Sequence, residues 1–140
     1  NANFIAKEKN IELTTKKLTN SSGYKNKVSV KITNAKGVKT ISGTVFGEDV
    51  QRVVDLDGFV IDVEPKGKMI IMKNKDIPGV VGKVGNILGE NGINISDFRL
   101  SRGKEGTALA VILIDEKANS KVISELDNLE ASIAVAYAEI

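Results

Sequence analysis

A short turn between two apolar segments constrains the fold of this chain more than any other feature. Residues 93–100 and 107–114 each have the length and apolar content of a β-strand, and a turn at residues 102–106 joins them. So short a connection makes the two strands an antiparallel hairpin, because parallel strands need a crossover of about a dozen residues or more. Folds that place a helix after every strand, including the dinucleotide-binding folds, are therefore disfavoured.

The segments on either side of this hairpin complete an alternation of strands and helices. A short apolar run at residues 69–72 predicts a strand before the hairpin, and residues 132–140 predict one after it. Two amphipathic helices are also predicted: the first begins at Pro78 and ends at Asn91-Gly92, and the second is capped at residues 119–120. The order strand, helix, strand, strand, helix, strand is the ferredoxin-like arrangement.

The first half of the chain has the alternation of an antiparallel sheet. A helix is predicted over residues 3–9, with Asn10 suited to its end, and residues 19–23 are a loop by composition. Asp57-Gly58 is a strong hairpin signal. Apolar and polar residues alternate with period two in most of the predicted strands, which lie at residues 11–15, 28–32, 38–46, 52–56 and 59–63.

The segment Pro65-Lys66-Gly67 closes this first region and is the predicted domain boundary. We therefore predict an α+β protein in two parts. A mostly antiparallel β region occupies residues 1–67, and a ferredoxin-like βαββαβ domain occupies residues 68–140.

Two absences from the composition narrow the possible chemistry. The 140 residues include no Cys and no His, so disulfides, thiolate chemistry and the commonest general base are missing, and we predict neither a catalytic nor a metal site. Lys+Arg number 20 against 18 for Asp+Glu, a balance too even to suggest a nucleic-acid partner. No apolar run reaches the roughly 18 residues that span a bilayer. We expect a cytoplasmic protein with no membrane partner.

A glycine-rich segment opens the first helix of the second region. The close pair Gly-x-Gly, which lets a backbone approach a pyrophosphate, is missing there, so we predict no nucleotide site. Gly82, Gly85 and Gly89 recur at i, i+3 and i+7 and form a smooth stripe, although each costs about 1 kcal/mol relative to Ala in a helix. The stripe has two interpretations: close packing within the domain, or the approach of another chain or a ligand.

The loop before this helix is the best candidate for a ligand site. Free N–H groups at the helix start, together with the helix dipole, favour a carboxylate. Asp76 either holds a ligand ammonium group or caps the helix, as Asp commonly does. Asn94, at the start of the next strand, either supplies an amide to the same edge or is only a turn residue. Residue chemistry alone leaves both alternatives open.

At these residues the chain resembles a known family. Residues 74–85 (NKDIPGVVGKVG), with Leu88-Gly89 and residues 92–95 (GINI), are similar to the signature of the ACT regulatory domain of D-3-phosphoglycerate dehydrogenases. Residues 42–47 (SGTVFG) and Asp57-Gly58 resemble the allosteric substrate-binding, or intervening, domain that precedes the ACT domain in the longer form of that enzyme.

The resemblance implies a function that residue patterns do not reach. Members of the family oxidise 3-phosphoglycerate with NAD in the first step of serine biosynthesis, and L-serine is the feedback inhibitor. The dehydrogenase domains that bind NAD would lie upstream of Asn1, so no cofactor is expected within this chain. The effector, L-serine or a similar small amino acid, would bind between two ACT domains, which implies a homo-oligomer.

The resemblance also implies which residues bind the effector. Asp76 would meet the ammonium group, and N–H groups near Gly79 and Val80 would meet the carboxylate. The partner subunit would contribute the Asn that opens the second strand of its ACT domain. Carried over by position, the complete set is Asn74, Asp76, Pro78, Gly79, Val80 and Asn94.

The intervening domain of the family binds phosphorylated substrate or other anions. The resemblance therefore implies an anion site at Arg52, with Lys66 and Lys68 as weaker candidates, and a solvated surface is the alternative for all three. Two other functions are considered: the regulatory segment of an L-serine dehydratase subunit, and an oligomerisation module without a ligand. The segment 42–58 favours the dehydrogenase.

Overall fold

A computed structural model describes residues 1–19 and 23–140, so residues 20–22 of the predicted loop 19–23 lie outside the described chain. Within the described ranges no helix has the length and apolar character needed to cross a membrane. The same ranges contain three helices and eight strands: α1 Ala2–Glu8, β1 Lys27–Asn34, β2 Gly37–Phe46, β3 Val50–Leu56, β4 Phe59–Val63, β5 Lys68–Lys75, α2 Val80–Glu90, β6 Ile95–Arg102, β7 Thr107–Ile114, α3 Ser120–Asp127 and β8 Ser132–Glu139.

Helix α1 ends in a Schellman motif that takes the place of a predicted strand. Asn10 adopts a left-handed conformation (φ 52°), and the N–H groups of Asn10 and Ile11 donate to carbonyls of the last helical turn at 3.1 and 2.8 Å. The predicted strand at 11–15 is therefore wrong: residues 11–18 have no regular structure, and Ile11 and Leu13 are about half exposed. Alternation produces a strand only where a neighbouring strand and an apolar surface are available.

Strands β1 to β4 form an antiparallel meander in that order, as the alternation in residues 28–63 predicts. The β3–β4 turn is Asp57-Gly58, and both residues have the positive φ of a type I′ turn (51° and 83°). Burial raises the pKa of Asp57. The Lys39 ammonium at 2.6 Å and the Thr40 N–H at 2.8 Å outweigh burial, so the pKa is lowered overall.

The second sheet has the order β6-β7-β5-β8, and every neighbouring pair is antiparallel. Helices α2 and α3 cover one face of it, where Ile70, Met72 and Ile112 are fully buried against Leu88 and Leu126. The resulting βαββαβ order confirms the predicted ferredoxin-like arrangement. Asn119 caps α3 by accepting the N–H of Val122 at 3.1 Å, as predicted for residues 119–120.

Strand β4 of the first sheet covers the other face of the second sheet. Its three inward side chains are buried against side chains that alternate with those facing the helices. Both faces of β7 are consequently covered, and its seven residues 108–114 are all buried. This second core consists of Phe59, Ile61 and Val63 from β4 with Met69, Leu109, Val111 and Leu113.

The hairpin turn after β6 packs tightly against the first sheet. A Cβ placed on Gly103 would lie 2.4 Å from Cε1 of Phe59 and 2.9 Å from Oγ1 of Thr107. The Phe59 ring is itself buried and also lies under the ammonium group of Lys73, 5.6 Å from the ring centroid. Glycine is required at position 103 because the aromatic ring occupies the space of a side chain.

The contact predicts that Gly103→Ala destabilises the chain by about 1–3 kcal/mol, because a buried ring has to move to admit one methyl group. Urea denaturation of the variant and the wild type measures this loss. Gly82→Ala is the matched helix control: its Cβ would meet nothing within 4 Å, so dilute protein should gain up to about 1 kcal/mol.

Gly103→Ala in a Phe59→Leu background tests whether contact with the Phe59 ring causes the loss of stability. Leucine leaves room where the tip of the ring lies, so Gly103→Ala should cost clearly less there, and the two changes should not be additive. An equal cost in both backgrounds would show that the ring contact is not the reason.

Candidate functional site

The loop that precedes α2 leaves the start of that helix open. Gly79 is the N-cap residue, with φ 89°, and in the described chain no side chain caps the helix. The alternative in which Asp76 caps the helix is therefore wrong: Gly79 is the N-cap residue, and the Asp76 carboxylate is paired with Arg102 instead. The first-turn N–H groups and the positive end of the helix dipole remain available to an anion.

Asp76 is held by the hairpin turn between β6 and β7. Its N–H donates to the carbonyl oxygen of Gly106 at 2.8 Å, and its Oδ2 forms an ion pair with Arg102, 3.1 Å from Nε. The sequence interpretation missed Arg102. The signal that identifies it is the strand order, since pairing β5 with β7 brings the end of β5 beside this turn.

Asn74 is the most buried of the predicted site residues, at 3% exposure. It lies on the helix-covered face of the sheet, and its Nδ2 donates to the carbonyl oxygen of Lys75 at 2.7 Å. Ser132 is opposite Asn74 across a bulge in the β5–β8 ladder, and in the described chain its buried hydroxyl has no hydrogen-bond partner. The end of β5 therefore presents polar groups beneath the loop 76–79 that the fold does not fully use.

Asn94 lies at the opposite end of the sheet. Its Nδ2 donates to Oδ2 of Asp115 at 2.6 Å, and its N–H donates to Oε2 of Glu116 at 2.7 Å. The strand after Asn94 begins at the level where β5 begins, whereas Asp76 follows the end of β5. Eight strand residues separate these levels, roughly 26 Å at the rise of an extended strand. The expectation that Asn94 shares an edge with Asp76 is wrong within one chain.

The depression beside the loop is small. It is lined by residues that include Pro78, Val80, Lys83 and Glu130, and its volume is about 20 Å³. Such a space accommodates a water molecule and not an amino acid. Within one chain the loop thus offers polar groups for a ligand without enclosing one.

The glycine stripe on α2 has no packing partner among residues 1–19 and 23–140. A Cβ on Gly82, Gly85 or Gly89 would meet no atom within 4 Å beyond the helix's own backbone. Close packing against the domain's own sheet or second helix is therefore wrong as an explanation of the stripe. The remaining interpretation is the approach of something outside the chain.

The predicted anion residues divide between two places. Arg52 bonds Asp62 at 3.2 Å and Glu64 at 3.6 Å, and Lys66 bonds the same Glu64 oxygen at 2.7 Å. Lys68 instead donates to the carbonyl oxygen of Asp115 at 2.6 Å. The hydrogen bond from Lys66, with the charge of Arg52, lowers the pKa of Glu64, so both cations are already paired with an ionised carboxylate.

In the described part of the chain, no three His, Cys, Asp or Glu side chains are grouped so that they would hold a metal ion. The groups near the loop include the carboxylate of Asp76, the carboxamide of Asn74, the hydroxyl of Ser132, the guanidinium of Arg102 and the open N–H groups at the start of α2. A carboxylate beside open helix N–H groups has the chemistry to bind a small zwitterion by hydrogen bonds and charge.

Comparison with known proteins identifies the family of each half of the chain. Residues 68–131 match the model of the ACT domain, so the second half of the chain is an ACT domain, a regulatory class. Residues 1–57 match the D-3-phosphoglycerate dehydrogenase intervening domain. The chain therefore carries the regulatory pair, intervening domain and ACT domain, of the D-3-phosphoglycerate dehydrogenase family, as its motifs predict.

Curated relatives support this membership over almost the whole chain. The D-3-phosphoglycerate dehydrogenase of Bacillus subtilis is 35% identical over 96% of this chain, and that of Archaeoglobus fulgidus is 29% identical over 97%. The enzyme of Synechocystis is 29% identical over 98%. The chain spans about a quarter of the length of these relatives, 25–26%. Their names favour the dehydrogenase over a serine dehydratase subunit.

The pairing of Arg52 and Lys66 with Glu64 yields a prediction for the anion site, which stays a hypothesis. Glu64→Gln removes the negative charge shared by both cations, so inorganic phosphate should bind at least about threefold more tightly at pH 7. Calorimetric titration with phosphate measures this, and Glu48→Gln, an exposed change in the turn after β2, is the control. Equal phosphate affinity in wild type and Glu64→Gln would remove these residues from consideration.

Proposed function

We propose that this chain binds L-serine, or a similarly small amino acid, as a feedback effector between two ACT domains of a D-3-phosphoglycerate dehydrogenase. The two predicted units would have separate roles. Residues 68–140 would bind the effector, and residues 1–67 would connect the effector-binding domain to the rest of the enzyme. The whole enzyme would oxidise 3-phosphoglycerate in the cytoplasm as the first step of serine biosynthesis. NAD would bind in dehydrogenase domains upstream, since no Gly-x-Gly turn occurs here.

The proposal rests on a single observation: the loop 76–79 presents a group that attracts cations close to groups that attract anions. Asp76 offers a carboxylate, and only a few residues further the uncapped start of α2 offers N–H groups. An α-amino acid presents an ammonium and a carboxylate separated by one carbon atom. Asp76 would accept from the ammonium group, while N–H groups near Gly79 and Val80 would donate to the carboxylate. Asn74 would contribute its amide from below, beside Pro78 and the rest of the loop.

Two copies of the chain are needed to complete this site. Asn94 lies at the far end of the sheet from Asp76, and the depression by the loop is too small to enclose an amino acid. Strand β6 is an edge strand. An antiparallel contact between the β6 edges of two copies would bring Asn94 of each beside the turn 102–106 of the other, and so toward the partner's Asp76. An antiparallel contact through β8, the other edge, would not.

The open glycine stripe is consistent with this arrangement. Helix α2 lies between β5 and β6 in the chain, and its three glycines would let a neighbouring chain approach closely. Each glycine lowers the stability of the isolated helix. Close packing of the helix against the second copy in the dimer would offset that loss.

Calorimetric titration of the 140-residue chain with L-serine tests the proposal. Wild type should bind, and Asp76→Asn should weaken binding by at least about tenfold, because a charge-assisted bond to an ammonium contributes about 1.5–3 kcal/mol. The fold should persist, since Asp76 is part of a partly exposed ion pair. Asp49→Asn, an exposed carboxylate in the β2–β3 turn, is the control. If wild type did not bind serine at millimolar concentration, the proposal would be wrong. The alternative function, an oligomerisation module without a ligand, would then remain.

Mixing two variants tests whether the site is shared between copies. Asp76→Asn and Asn94→Ala should each bind serine poorly, because every site in either homodimer lacks one group. After exchange of subunits, about half of the dimers contain one copy of each, and one of their two sites has both native residues. The mixture should therefore recover about a quarter of the wild-type sites. If Asp76 and Asn94 acted within one copy, mixing would restore nothing.

A further inference from the structure

The carboxylate proposed to receive the effector is already paired with a cation of its own chain. Nε of Arg102 lies 3.1 Å from Oδ2 of Asp76. The Asp76 side chain is 29% exposed and the Arg102 side chain 78% exposed, so the arginine is the more solvated member of the pair. An incoming ammonium group would have to take the place that the guanidinium occupies.

We propose that Arg102 is a specificity-determining residue that competes with the effector for Asp76. This inference rests on the proposed function, in which Asp76 binds the ammonium group of the amino acid. Without a ligand, the guanidinium of Arg102 would pair with the carboxylate of Asp76. It would move away when the ligand binds. The equilibrium between the two states would then set the effector concentration at which the domain responds.

The geometry indicates that little free energy is needed to release the guanidinium of Arg102 from Asp76. The loop does not need Arg102 to keep its position, because the N–H of Asp76 is bonded independently to the carbonyl oxygen of Gly106 at 2.8 Å. The guanidinium is mostly solvated already, so it would move into water with little loss. Exposed ion pairs change an equilibrium by only about one- to fivefold. Arg102 is thus strong enough to shift the effector affinity and too weak to block the site.

The same competition would select the chemical class of ligand. A ligand with an ammonium group replaces one cation by another at Asp76. A hydroxy acid of the same size, such as glycerate, brings only its carboxylate and a neutral hydroxyl, so it would leave Asp76 paired with Arg102. The site should accept small amino acids and reject the corresponding hydroxy acids.

Calorimetric titration of the full chain with L-serine tests this role with one variant and two controls. Arg102→Gln should bind L-serine about two- to fivefold more tightly than wild type, since the competitor is gone. Arg102→Lys retains a cation and should stay within about twofold of wild type. Lys121→Gln removes a cation that is paired with Glu125 at 3.5 Å on helix α3, away from the β6 edge, and should leave the affinity unchanged.

The outcomes separate this inference from the proposed function. Weaker binding by Arg102→Gln would mean that the arginine holds the ligand, and unchanged binding would mean that it has no influence; either result overturns the competition. Wild type that binds no serine would overturn both proposals together. Wild type that binds serine while Arg102→Gln matches it would overturn the competition alone. Circular dichroism of each variant confirms that a change in affinity is not a loss of fold.

Discussion

Strand β7 is buried on both of its faces, and the rest of the structure is arranged around that fact. Alternate side chains of residues 108–114 point into two different cores, one beneath the helices and one beneath β4. Burying an aliphatic side chain contributes about 1.5–3 kcal/mol. Removing either cover would therefore expose three or four large apolar side chains of the central strands. The ACT sheet does not have a free face, because the first sheet provides one of its walls.

This constraint explains which parts of the fold were predictable. The βαββαβ order, the β3–β4 hairpin and the helix ends follow from local signals: period, turn residues and caps. The continuous apolar run of β7 is typical of a strand with two buried faces, a signal that the sequence interpretation did not use. What covers its second face was not predictable, because β4 lies some 50 residues away in the chain and alternates like any half-buried strand. The predicted strand at 11–15 failed for the same reason: period alone does not supply a partner.

The candidate site, like the fold, was only partly predictable from the sequence. The loop 74–80 could be chosen from the sequence because an acidic residue, a proline and a glycine precede an amphipathic helix. Two properties of the site depend on the order of the strands in the sheet, so they could not be predicted from the sequence. Arg102 reaches Asp76 because β7 joins the hairpin turn to β5, and Asn94 is remote because β6 runs in the same direction as β5. Chemistry can be predicted from residue types, whereas the grouping of residues needs the sheet topology.

The hairpin turn that constrained the fold from the sequence also joins the site to the first sheet. Arg102 holds the carboxylate of Asp76, and the next residue, Gly103, lies against the ring of Phe59 with no space for a methyl group. Gly106 of the same turn accepts the N–H of Asp76. A tightly packed contact transmits displacement, since close-packed side chains have few alternative positions. Displacement of Gly103 would therefore reach the ring of Phe59 in β4 and, through the same turn, the residues that contact Asp76.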